Sequence, residues 1–297
     1  MTLGPPERRG RCEQVRPARA GALEWGASMP APGRTLERDG RYPWYDSWWL
    51  AKYFEAQAII RRRKPRALSL FMRALAPLQT NSTFRTTVLD QPFDAATLDA
   101  VRAAARGLRP SELELHEAGR FGRFVVHDHP LFLELQARAV PIVSAVVGEP
   151  VEASYTFLSL YTNRGVCSVH LDAPEAKWTL DLCVDQSAPW PIHFSDVGPW
   201  PGRDELRSYE GEDWQERIKT SPSLRFSAVS PRVGQAVVFS GSSQWHYRDP
   251  IPRGEGSPFC TLLFLHFIAR GTADLLDPRH WSSLVGLPEL ADLAGRS

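Results

Sequence analysis

Three side chains in the second half of the chain have the types and spacing of a metal site. His170 and Asp172 lie two positions apart in SVHLDAPEAKWTLDLCVD (168–185), and His246 follows a hydrophobic run much later in the chain. Alternate side chains of an extended segment point the same way, so His170 and Asp172 can converge on one ion. With His246 on a facing strand, two histidines and one carboxylate leave adjacent coordination positions open on ferrous iron. The pattern therefore predicts a metal centre suited to oxygen chemistry.

The other histidines are less well placed to bind this metal. His193 follows Asp172 too closely to come easily from a facing strand, and His266 lies in an apolar strand-like run that favours a core or edge position. His127 and His129 form a pair in VVHDHP, but they precede the β-rich half of the chain. A His-x-Asp pair alone is weak evidence, so the prediction depends on the segment GQAVVFSGSSQWH that supplies the distal histidine.

The region before about residue 150 has the pattern of helices. Residues 1–40 mix Arg, Pro, Gly and Ala without periodicity, which predicts a flexible tail. We expect a single catalytic domain over 41–297, with a helical support region at 41–150. Helix signals within that region are a cap at Asp46 or Ser47, a segment 94–108 capped by Asp94, and a segment interrupted by Pro141 and closed at Gly148.

The region 151–270 has the pattern of strands. Four short runs are rich in β-branched and aromatic residues and bounded by turn formers: ASYTFLSLYTN, KWTLDLCVD, GQAVVFSG and FCTLLFLHFI. Helices followed by strands favour an α+β, mainly β fold, in which helices pack along one side of an antiparallel sheet or barrel. A polar insertion at 196–226 predicts either a substrate lid or a solvated surface excursion. Residues 271–297 are expected to form a C-terminal helical segment.

Composition narrows the class of protein. A chain of 297 residues that is 43% hydrophobic can bury a full-sized core. Its formal net charge of +1 gives no general attraction to nucleic acid or to an anionic membrane. The four cysteines are scattered, without CxxC spacing, and no apolar run suggests a signal peptide or a membrane span, so we expect a cytoplasmic protein. GxGxxG, Walker, HExxH and GxSxG motifs do not occur in the sequence.

Three segments occur in the order and spacing of a known family: SLYTNRGVCSVHLD, WTLDLCVDQSAPWPI and GQAVVFSGSSQWHYRDPIPRG. Through them, residues 150–270 resemble the iron(II)- and 2-oxoglutarate-dependent oxygenases, particularly the prolyl-hydroxylase-like branch. The resemblance implies an antiparallel jelly roll, or double-stranded β-helix, with Fe(II) at one open end. It also implies 2-oxoglutarate as cosubstrate and O2 as oxidant. Resembling halogenases carry a small residue in place of Asp172, so its presence favours hydroxylation, desaturation or ring formation.

The far carboxylate of 2-oxoglutarate needs a cation, and here the sequence departs from the family. Members usually carry Lys or Arg at the position that Gly256 occupies in this chain. Arg248 is the preferred substitute, because it lies two residues past His246 on the same face of an extended strand. Its guanidinium group can bind a carboxylate through two hydrogen bonds. A surface position or an ion pair, for example with Asp249, is the alternative role for Arg248.

Further residues are predicted to contact the cosubstrate or the substrate. Lys177 and Arg253 are reserve anchors, and Tyr161 and Thr261 can add hydroxyl hydrogen bonds to 2-oxoglutarate unless they fill the core. The substrate is expected to be a small-molecule or amino-acid-derived metabolite, although a carrier-bound or protein substrate stays open. Four tryptophans suit either an apolar substrate surface or the core: Trp178, Trp190, Trp200 and Trp245.

Two other classes of protein stay compatible with the sequence. One is a cupin-like metal dioxygenase that does not use 2-oxoglutarate, although such barrels usually present three or four histidine ligands. The other is a degenerate barrel that serves as a binding module, for which Gly256 at the usual basic position is the best support. Formation of succinate would separate the expected oxygenase from both.

Overall fold

The computed structural model describes residues 44, 46–81, 83–202, 205, 209, 211–254 and 256–295. The tail predicted at 1–40 lies outside these residues. The α-helices of the described chain are α1 Trp48–Arg63, α2 Leu68–Leu75, α3 Ala95–Gly107, α4 Pro130–Val147, α5 Trp214–Lys219, α6 Ala273–Leu276 and α7 Pro278–Val285. Its strands are β1 Thr87–Leu89, β2 Arg123–His127, β3 Val151–Tyr161, β4 Cys167–His170, β5 Trp178–Gln186, β6 Ile192–Ser195, β7 Phe226–Val229, β8 Ala236–Phe239, β9 His246–Arg248 and β10 Cys260–Ala269.

These strands form two antiparallel sheets. The six-stranded sheet has the order β1-β8-β5-β10-β3-β2, and the four-stranded sheet has the order β4-β9-β6-β7. All the strand pairs of both sheets are antiparallel. The expected combination of helices with antiparallel sheets is therefore confirmed. The region 41–150 is not purely helical, however, because β1 and β2 add the two outer strands of the larger sheet.

Period-two alternation gives the six-stranded sheet two different faces. Along β10, Leu263 and Leu265 share a buried cluster with residues of α3 and α4, so this face packs on helices. The alternate residues Leu262 and Phe264 belong to a second cluster with Trp190, on the opposite face. A third cluster joins strands of both sheets, β6 and β8, and shows that this opposite face lies against the four-stranded sheet. Side chains between the sheets therefore come from both.

Helix α4 corrects one prediction from the sequence. Pro141 was expected to interrupt the segment, but the helix continues through it to a left-handed C-cap at Gly148, with φ of 73°. Pro141 has no backbone N–H group, so the Ala137 carbonyl loses its helical partner. Both residues are exposed, and water can therefore donate to this carbonyl. By length and composition, α4 is the one described helix that could cross a membrane, with a mean hydropathy of 1.4 and 28% of its residues buried. Its buried side packs on the six-stranded sheet.

Helices near both ends of the described chain share one aromatic core. Trp49 of α1 lies against Trp281 of α7 at a ring distance of 5.3 Å and donates a hydrogen bond from its indole nitrogen to the Leu276 carbonyl at 2.8 Å. The predicted insertion contributes as well, because α5 buries Trp214 in the same core. This part of 196–226 is therefore not a purely solvated excursion. Helix α3 begins after Asp94, whose side chain accepts from the Thr97 amide as predicted.

Candidate metal centre and its surroundings

The three predicted ligands lie together at adjacent ends of two paired strands. His170 is the last residue of β4 and His246 is the first residue of β9, and the two are direct cross-strand partners. Asp172 follows β4 by two residues, in the segment that leads into the short 3₁₀ turn Pro174–Ala176. The expectation that His246 comes from a facing strand is therefore refined, since its strand is the hydrogen-bonded neighbour of β4.

The ligand atoms converge closely enough to surround one ion. Asp172 Oδ1 lies 3.3 Å from His170 Nε2, and Asp172 Oδ2 lies 3.7 Å from His246 Nε2. One ligand atom from each residue lies within 4.8 Å of the other two. In the part of the chain that the structure describes, this is the one group of His, Cys, Asp and Glu side chains with such spacing. The side chains are largely buried, with 12%, 13% and 5% exposure for His170, Asp172 and His246.

Backbone carbonyl groups orient both imidazole rings. His170 Nδ1 lies 2.8 Å from the Ser168 carbonyl oxygen, and His246 Nδ1 lies 2.9 Å from that of Gln244. A carbonyl can only accept, so each Nδ1 carries a proton, and each Nε2 is the ring nitrogen that faces Asp172 and can bind a metal ion. This arrangement, in which the other ring nitrogen is fixed by a hydrogen bond, is the usual one for histidines that bind metals. The donor set fits a divalent cation.

The charges of the centre favour a bound cation. Burial opposes ionisation of Asp172, but the charges of His246 and His170 outweigh it and lower its pKa. Burial also disfavours the charged form of His170, yet nearby Cys167 and Asp172 raise its pKa well above the usual value. Burial and the charge of His170 lower the pKa of His246 to about 4. One positive charge is thus held among three ligands, and a metal ion would replace it.

Gly241 makes room for the carboxylate of Asp172. A Cβ atom at position 241 would lie 2.1 Å from Asp172 Oδ2 and 2.6 Å from the Ala176 carbonyl oxygen. The Asp172 amide also donates to the Gly241 carbonyl at 2.9 Å. The absence of a side chain at position 241 is therefore required by the position of the ligand. The small residues in SGSSQ signalled a turn in the sequence, but their spacing did not reveal this contact.

The face of the six-stranded sheet that looks toward the smaller sheet carries unusual polar groups. Three of its buried atoms have no hydrogen-bond partner: Ser159 Oγ, Thr179 Oγ1 and Asp181 Oδ1. Strands β3 and β5 both pair with β10, which places the three side chains on neighbouring strands and on one face. Buried polar groups in proteins nearly always have partners, so this cluster provides room for hydrogen bonds to water or to a ligand between the sheets.

Arg248 reaches this polar face from the smaller sheet. Its side chain is 2% exposed, and Nη2 lies 2.8 Å from Asp181 Oδ2 while Nη1 donates to the Trp190 carbonyl at 2.5 Å. The ion-pair alternative for Arg248 is therefore observed, but the partner is Asp181 rather than Asp249. Burial raises the pKa of Asp181, even though the charge and hydrogen bond of Arg248 oppose the shift. Both groups remain inside, between the two sheets.

Arg123 is a second buried guanidinium group on the same side of the large sheet, and sequence reasoning missed it. Its Nη1 donates to the Tyr161 hydroxyl at 2.8 Å, and its Nε bonds to Glu117. Arg123 pairs directly with Tyr161 across β2 and β3, so both side chains point to one face. Burial raises the pKa of Tyr161, which keeps its phenol protonated. The signal that could have found Arg123 is the run RFVVH, which is rich in aromatic and β-branched residues but lies in the region predicted to be helical.

Three residues proposed to contact the cosubstrate are placed elsewhere. Lys177 is buried, but its ammonium group binds Glu149 at 2.5 Å and the Pro77 carbonyl at 2.8 Å. Arg253 is exposed in the loop after β9. Thr261 alternates with Leu262 along β10 and therefore points to the helix-facing side with Leu263. Charge and distance from the ligands along the sequence could not reveal these positions.

The other histidines have roles of their own. His193 stacks on Tyr247 with ring centroids 4.5 Å apart, and His266 stacks on Tyr155 at 4.1 Å. His127 Nδ1 lies 2.8 Å from Glu114 Oε1. His129 caps α4, where its Nδ1 accepts from the Leu131 amide. None of these belongs to the metal-ligand group found among the described residues.

The four tryptophans considered from the sequence divide between core and site. Trp178 packs on the helix-facing side of the large sheet. Trp190 lies between the sheets, with the Arg248 guanidinium 5.0 Å from its ring. Trp200 and Trp245 belong to the aromatic core that surrounds α1. Trp200 also lines a small pocket that includes Asp172.

Comparison with known proteins found similar structures but no close relative. No protein-family model and no curated protein matches the sequence. HygX from Streptomyces hygroscopicus, solved with nickel, 2-oxoglutarate and hygromycin B, is similar with a TM-score of 0.48 and 14% identity, over 64% of this chain and 84% of that one. A prolyl-4-hydroxylase from Pseudomonas putida has a TM-score of 0.42 and 14% identity, over 68% and 100% of the two chains.

A third similar structure is an oxidoreductase of the 2OG-Fe(II) oxygenase family from Burkholderia pseudomallei. Its TM-score is 0.41 and its identity 15%, over 62% of this chain and 84% of that one. Because the similarity is distant, the functional assignment depends on the residues of the site themselves.

Proposed function

We propose that this protein is an Fe(II)- and 2-oxoglutarate-dependent oxygenase that hydroxylates, desaturates or cyclises a small-molecule metabolite. In this proposal the two sheets are the halves of a double-stranded β-helix, and residues 41–297 form one catalytic domain. The observation that carries the proposal is the convergence of His170, Asp172 and His246 between paired strand ends, with both Nε2 atoms presented to the carboxylate.

The ligand set supports iron rather than a closed structural site. Two histidines and one carboxylate provide three ligands, so an octahedral ion keeps positions for a cosubstrate and oxygen. Iron(II) together with 2-oxoglutarate and O2 supplies the oxidation of an unactivated C–H bond, while 2-oxoglutarate becomes succinate and carbon dioxide. The residues of this chain would hold the ion, and the Ser168 and Gln244 carbonyl groups orient the two imidazole rings.

The polar groups between the sheets suit a dicarboxylate cosubstrate. Ser159 Oγ and Thr179 Oγ1 are buried hydroxyl groups without partners, and each can donate to a carboxylate oxygen. Arg248 supplies a buried guanidinium group two residues beyond the ligand His246. Arg248 therefore remains our proposed anchor for the C5 carboxylate, and Asp181 becomes the group that holds it in place. Tyr161, fixed by Arg123, is proposed to contribute a hydroxyl hydrogen bond.

The test is an anaerobic titration of the metal-free protein with Fe(II) and then 2-oxoglutarate. We expect a visible charge-transfer band to appear only when both are present, followed by succinate formation when O2 and substrate are admitted. His246→Ala should abolish the band, whereas His193→Ala should retain it because His193 lies outside the ligand group. A wild-type protein that binds iron without giving the band would favour a metal dioxygenase of the cupin type.

A further inference from the structure

A small pocket beside Asp172 has polar groups that the proposed oxygenase chemistry does not use. Indole rings and aliphatic groups form most of its wall, and its polar side chains are Asp46, Asp172 and Ser242. Its open volume is about 10 Å³. That is about the room needed by one water molecule, or by one group of similar size such as a primary ammonium. The pocket therefore selects for a small terminal group.

The hydroxyl of Ser242 has no partner. The residue is 1% exposed, and its Oγ makes no hydrogen bond. Its backbone is held in place, because the indole nitrogen of Trp200 donates to the Ser242 carbonyl at 2.9 Å. A buried hydroxyl without a partner costs free energy, so a ligand that donates to it would recover that loss.

Asp46 supplies a carboxylate whose pKa is raised by burial, and the charges of His170 and Arg123 offset only part of this rise. Within the described residues, no hydrogen bond or ion pair is formed by its side chain, and it precedes α1 with a left-handed φ of 68°. The adjacent acidic group of Asp172 is engaged with the two metal-ligating histidines. Burial, followed by the charge of Asp172, raises the pKa of Asp46 to about 7. A cation in the pocket would relieve both effects.

Among the described residues that line the pocket, the Asp46 and Asp172 carboxylates accept only, and the Ser242 hydroxyl is the one free side-chain donor. The indole nitrogens of Trp49 and Trp200 are already used by the Leu276 and Ser242 carbonyl groups. Among the described residues that line the pocket, none is Lys, Arg or His. A carboxylate or phosphate could accept only from the Ser242 hydroxyl and would lie beside two aspartates, whereas an ammonium group can donate to both Asp46 and Ser242.

Aromatic walls add a second attraction for a cation. Trp49 and Trp200 meet edge to face, with centroids 5.2 Å apart, and Trp44 meets Trp245 in the same way at 5.0 Å. Their hydrogen bonds and mutual contacts hold these rings in fixed orientations. Indole faces attract cations through their quadrupole, and most strongly where water is excluded.

A further carboxyl group belongs to Glu175, the residue that follows Pro174 of the pocket wall. Glu175 Oε2 is buried without a hydrogen-bond partner, and the charge of Asp46 helps to raise the pKa of Glu175. Lys52 opposes this shift. The charged groups that a cation in the pocket would meet are therefore Asp46 and the ligand Asp172.

We propose that the pocket formed by Trp44, Asp46 and Ser242 binds a primary ammonium group, and that the substrate is consequently an amine-bearing small molecule. The identification of the ligand as a substrate rests on the proposed oxygenase function, because the pocket shares Asp172 with the metal centre. The ammonium site itself follows from the acceptors, the volume and the aromatic walls.

The test uses three probes of known chemistry with the full-length, metal-free protein. n-Butylammonium presents a primary ammonium group, 1-butanol is its neutral counterpart, and tetramethylammonium carries the charge without N–H donors and in a larger volume. Dissociation constants come from ligand-observed NMR titrations. We expect n-butylammonium to bind at least about tenfold more tightly than either of the others, because hydrogen bonds to charged groups contribute most.

Variants identify where the probe binds. Asp46→Asn should weaken n-butylammonium binding by about tenfold and Ser242→Ala by a few fold, since the first removes the charge and the second removes one acceptor. Asp99→Asn is the matched control, because this carboxylate is 72% exposed on α3 and pairs with Arg102. Thermal unfolding curves show whether each variant is folded. If Asp46→Asn does not fold, the binding measured with Ser242→Ala decides the test.

Equal binding of n-butylammonium and 1-butanol would overturn the inference, as would unchanged binding in both Asp46→Asn and Ser242→Ala. Such a result would leave the pocket as a site for water only. The charge-transfer titration is carried out separately on the wild-type protein. Ammonium binding without the charge-transfer band would refute the oxygenase function and support the ammonium site. The band without ammonium binding would support the oxygenase function and refute the ammonium site.

Discussion

The six-stranded and four-stranded sheets differ in construction and carry different parts of the site. Strands β3 and β10 of the larger sheet have 11 and 10 residues, whereas β4 and β9 of the smaller sheet have 4 and 3. The larger sheet is covered by helices on one face and presents fixed polar groups on the other. The smaller sheet presents His170 and His246 at strand ends. Metal binding thus depends on the short strands, and cosubstrate binding on both sheets.

The largest expected effect comes from the carboxylate at the end of the short strand. Asp172→Ala should abolish succinate formation, because two histidines alone hold a reactive divalent ion poorly. Binding of Fe(II), measured by calorimetry under anaerobic conditions, should fall with it. Asp196→Ala is the control, since Asp196 follows β6 of the same sheet and pairs with exposed Arg225. Normal turnover by Asp172→Ala would show that this residue is not a ligand, and halide can be added to ask whether it enters the vacated position.

Arg248→Ala tests the contact between the sheets and should give the next largest effect. We expect the Michaelis constant for 2-oxoglutarate to rise by a factor equivalent to about 2–4 kcal/mol, with Fe(II) affinity nearly intact. Arg248→Lys should recover only part, because an ammonium lacks the paired donors of guanidinium. Arg248→Ala also leaves Asp181 buried without its partner cation. This loss should lower the free energy of unfolding by about 3–5 kcal/mol.

Stability and cosubstrate binding can be separated with a double variant. Arg248→Met combined with Asp181→Leu removes the buried pair as a unit and should restore most of the stability, as replacement of buried ion pairs often does. It should not restore 2-oxoglutarate binding. Arg123→Met provides the comparison for the second buried guanidinium group. If Arg248→Met with Asp181→Leu keeps a normal Michaelis constant while Arg123→Met raises it, the anchor is Arg123.

Gly241→Ala should produce a smaller loss on the metal side. Its Cβ would lie 2.1 Å from Asp172 Oδ2, so the carboxylate must move away from the histidines. We expect Fe(II) affinity to fall by about tenfold, in the range seen when groups that position metal ligands are altered. Gly254→Ala is the matched control, because nothing lies within 4 Å of a Cβ at that position. Equal metal affinity in the two variants would contradict the packing role of Gly241.

The smallest effect concerns Glu175, in the turn that connects β4 to β5 and so joins the two sheets. Burial, then the charge of Asp46, raises its pKa from 4.5 to about 8. The folded protein therefore holds a proton that the unfolded chain has lost, and stability falls as pH rises from about 4.5 to about 8. We expect a slope on the order of 1 kcal/mol per pH unit in urea unfolding, and Glu175→Gln should flatten it.

Glu112 is the contrast for this measurement. A hydrogen bond from the Arg109 side chain lowers its pKa, so its proton is lost before the pH reaches the range in which Glu175 titrates. Glu112→Gln should therefore leave the slope of stability against pH unchanged between about pH 4.5 and pH 8. An unaltered slope in Glu175→Gln would show that Glu175 is ionised in the folded protein.

The two sheets also differ in how well the sequence predicts them. The four strands predicted from runs of β-branched and aromatic residues, now β3, β5, β8 and β10, belong to the six-stranded sheet. The strands of the smaller sheet have three or four residues and were not recognised as such runs. Strand β8 also has four, but it is an unbroken apolar run that follows Gly234 and Gln235. The metal ligands of the smaller sheet were nevertheless identified, because residue type and spacing are specific even where the strand is short.

The groups that were missed depend on contacts that distant parts of the chain make in the folded state. Asp46, Asp181 and Arg123 acquire their character from burial and from partners far along the sequence. Arg248 was predicted because it lies close to a ligand, but its pairing with Asp181 spans 67 positions. Local patterns cannot report such pairs, whereas they do report caps such as Asp94.

The direct pairing of His170 with His246 has a consequence for the metal-free protein. Strand β4 lies at the edge of its sheet, and its pairing with β9 is irregular between Cys167 and His170. An ion bound by both histidines would clamp this edge strand to its neighbour. Without the ion, β4 should open more often, and its amide protons should exchange faster with solvent than those of β10. An opened edge offers unpaired backbone groups to other chains, so chelation should make this protein prone to aggregate.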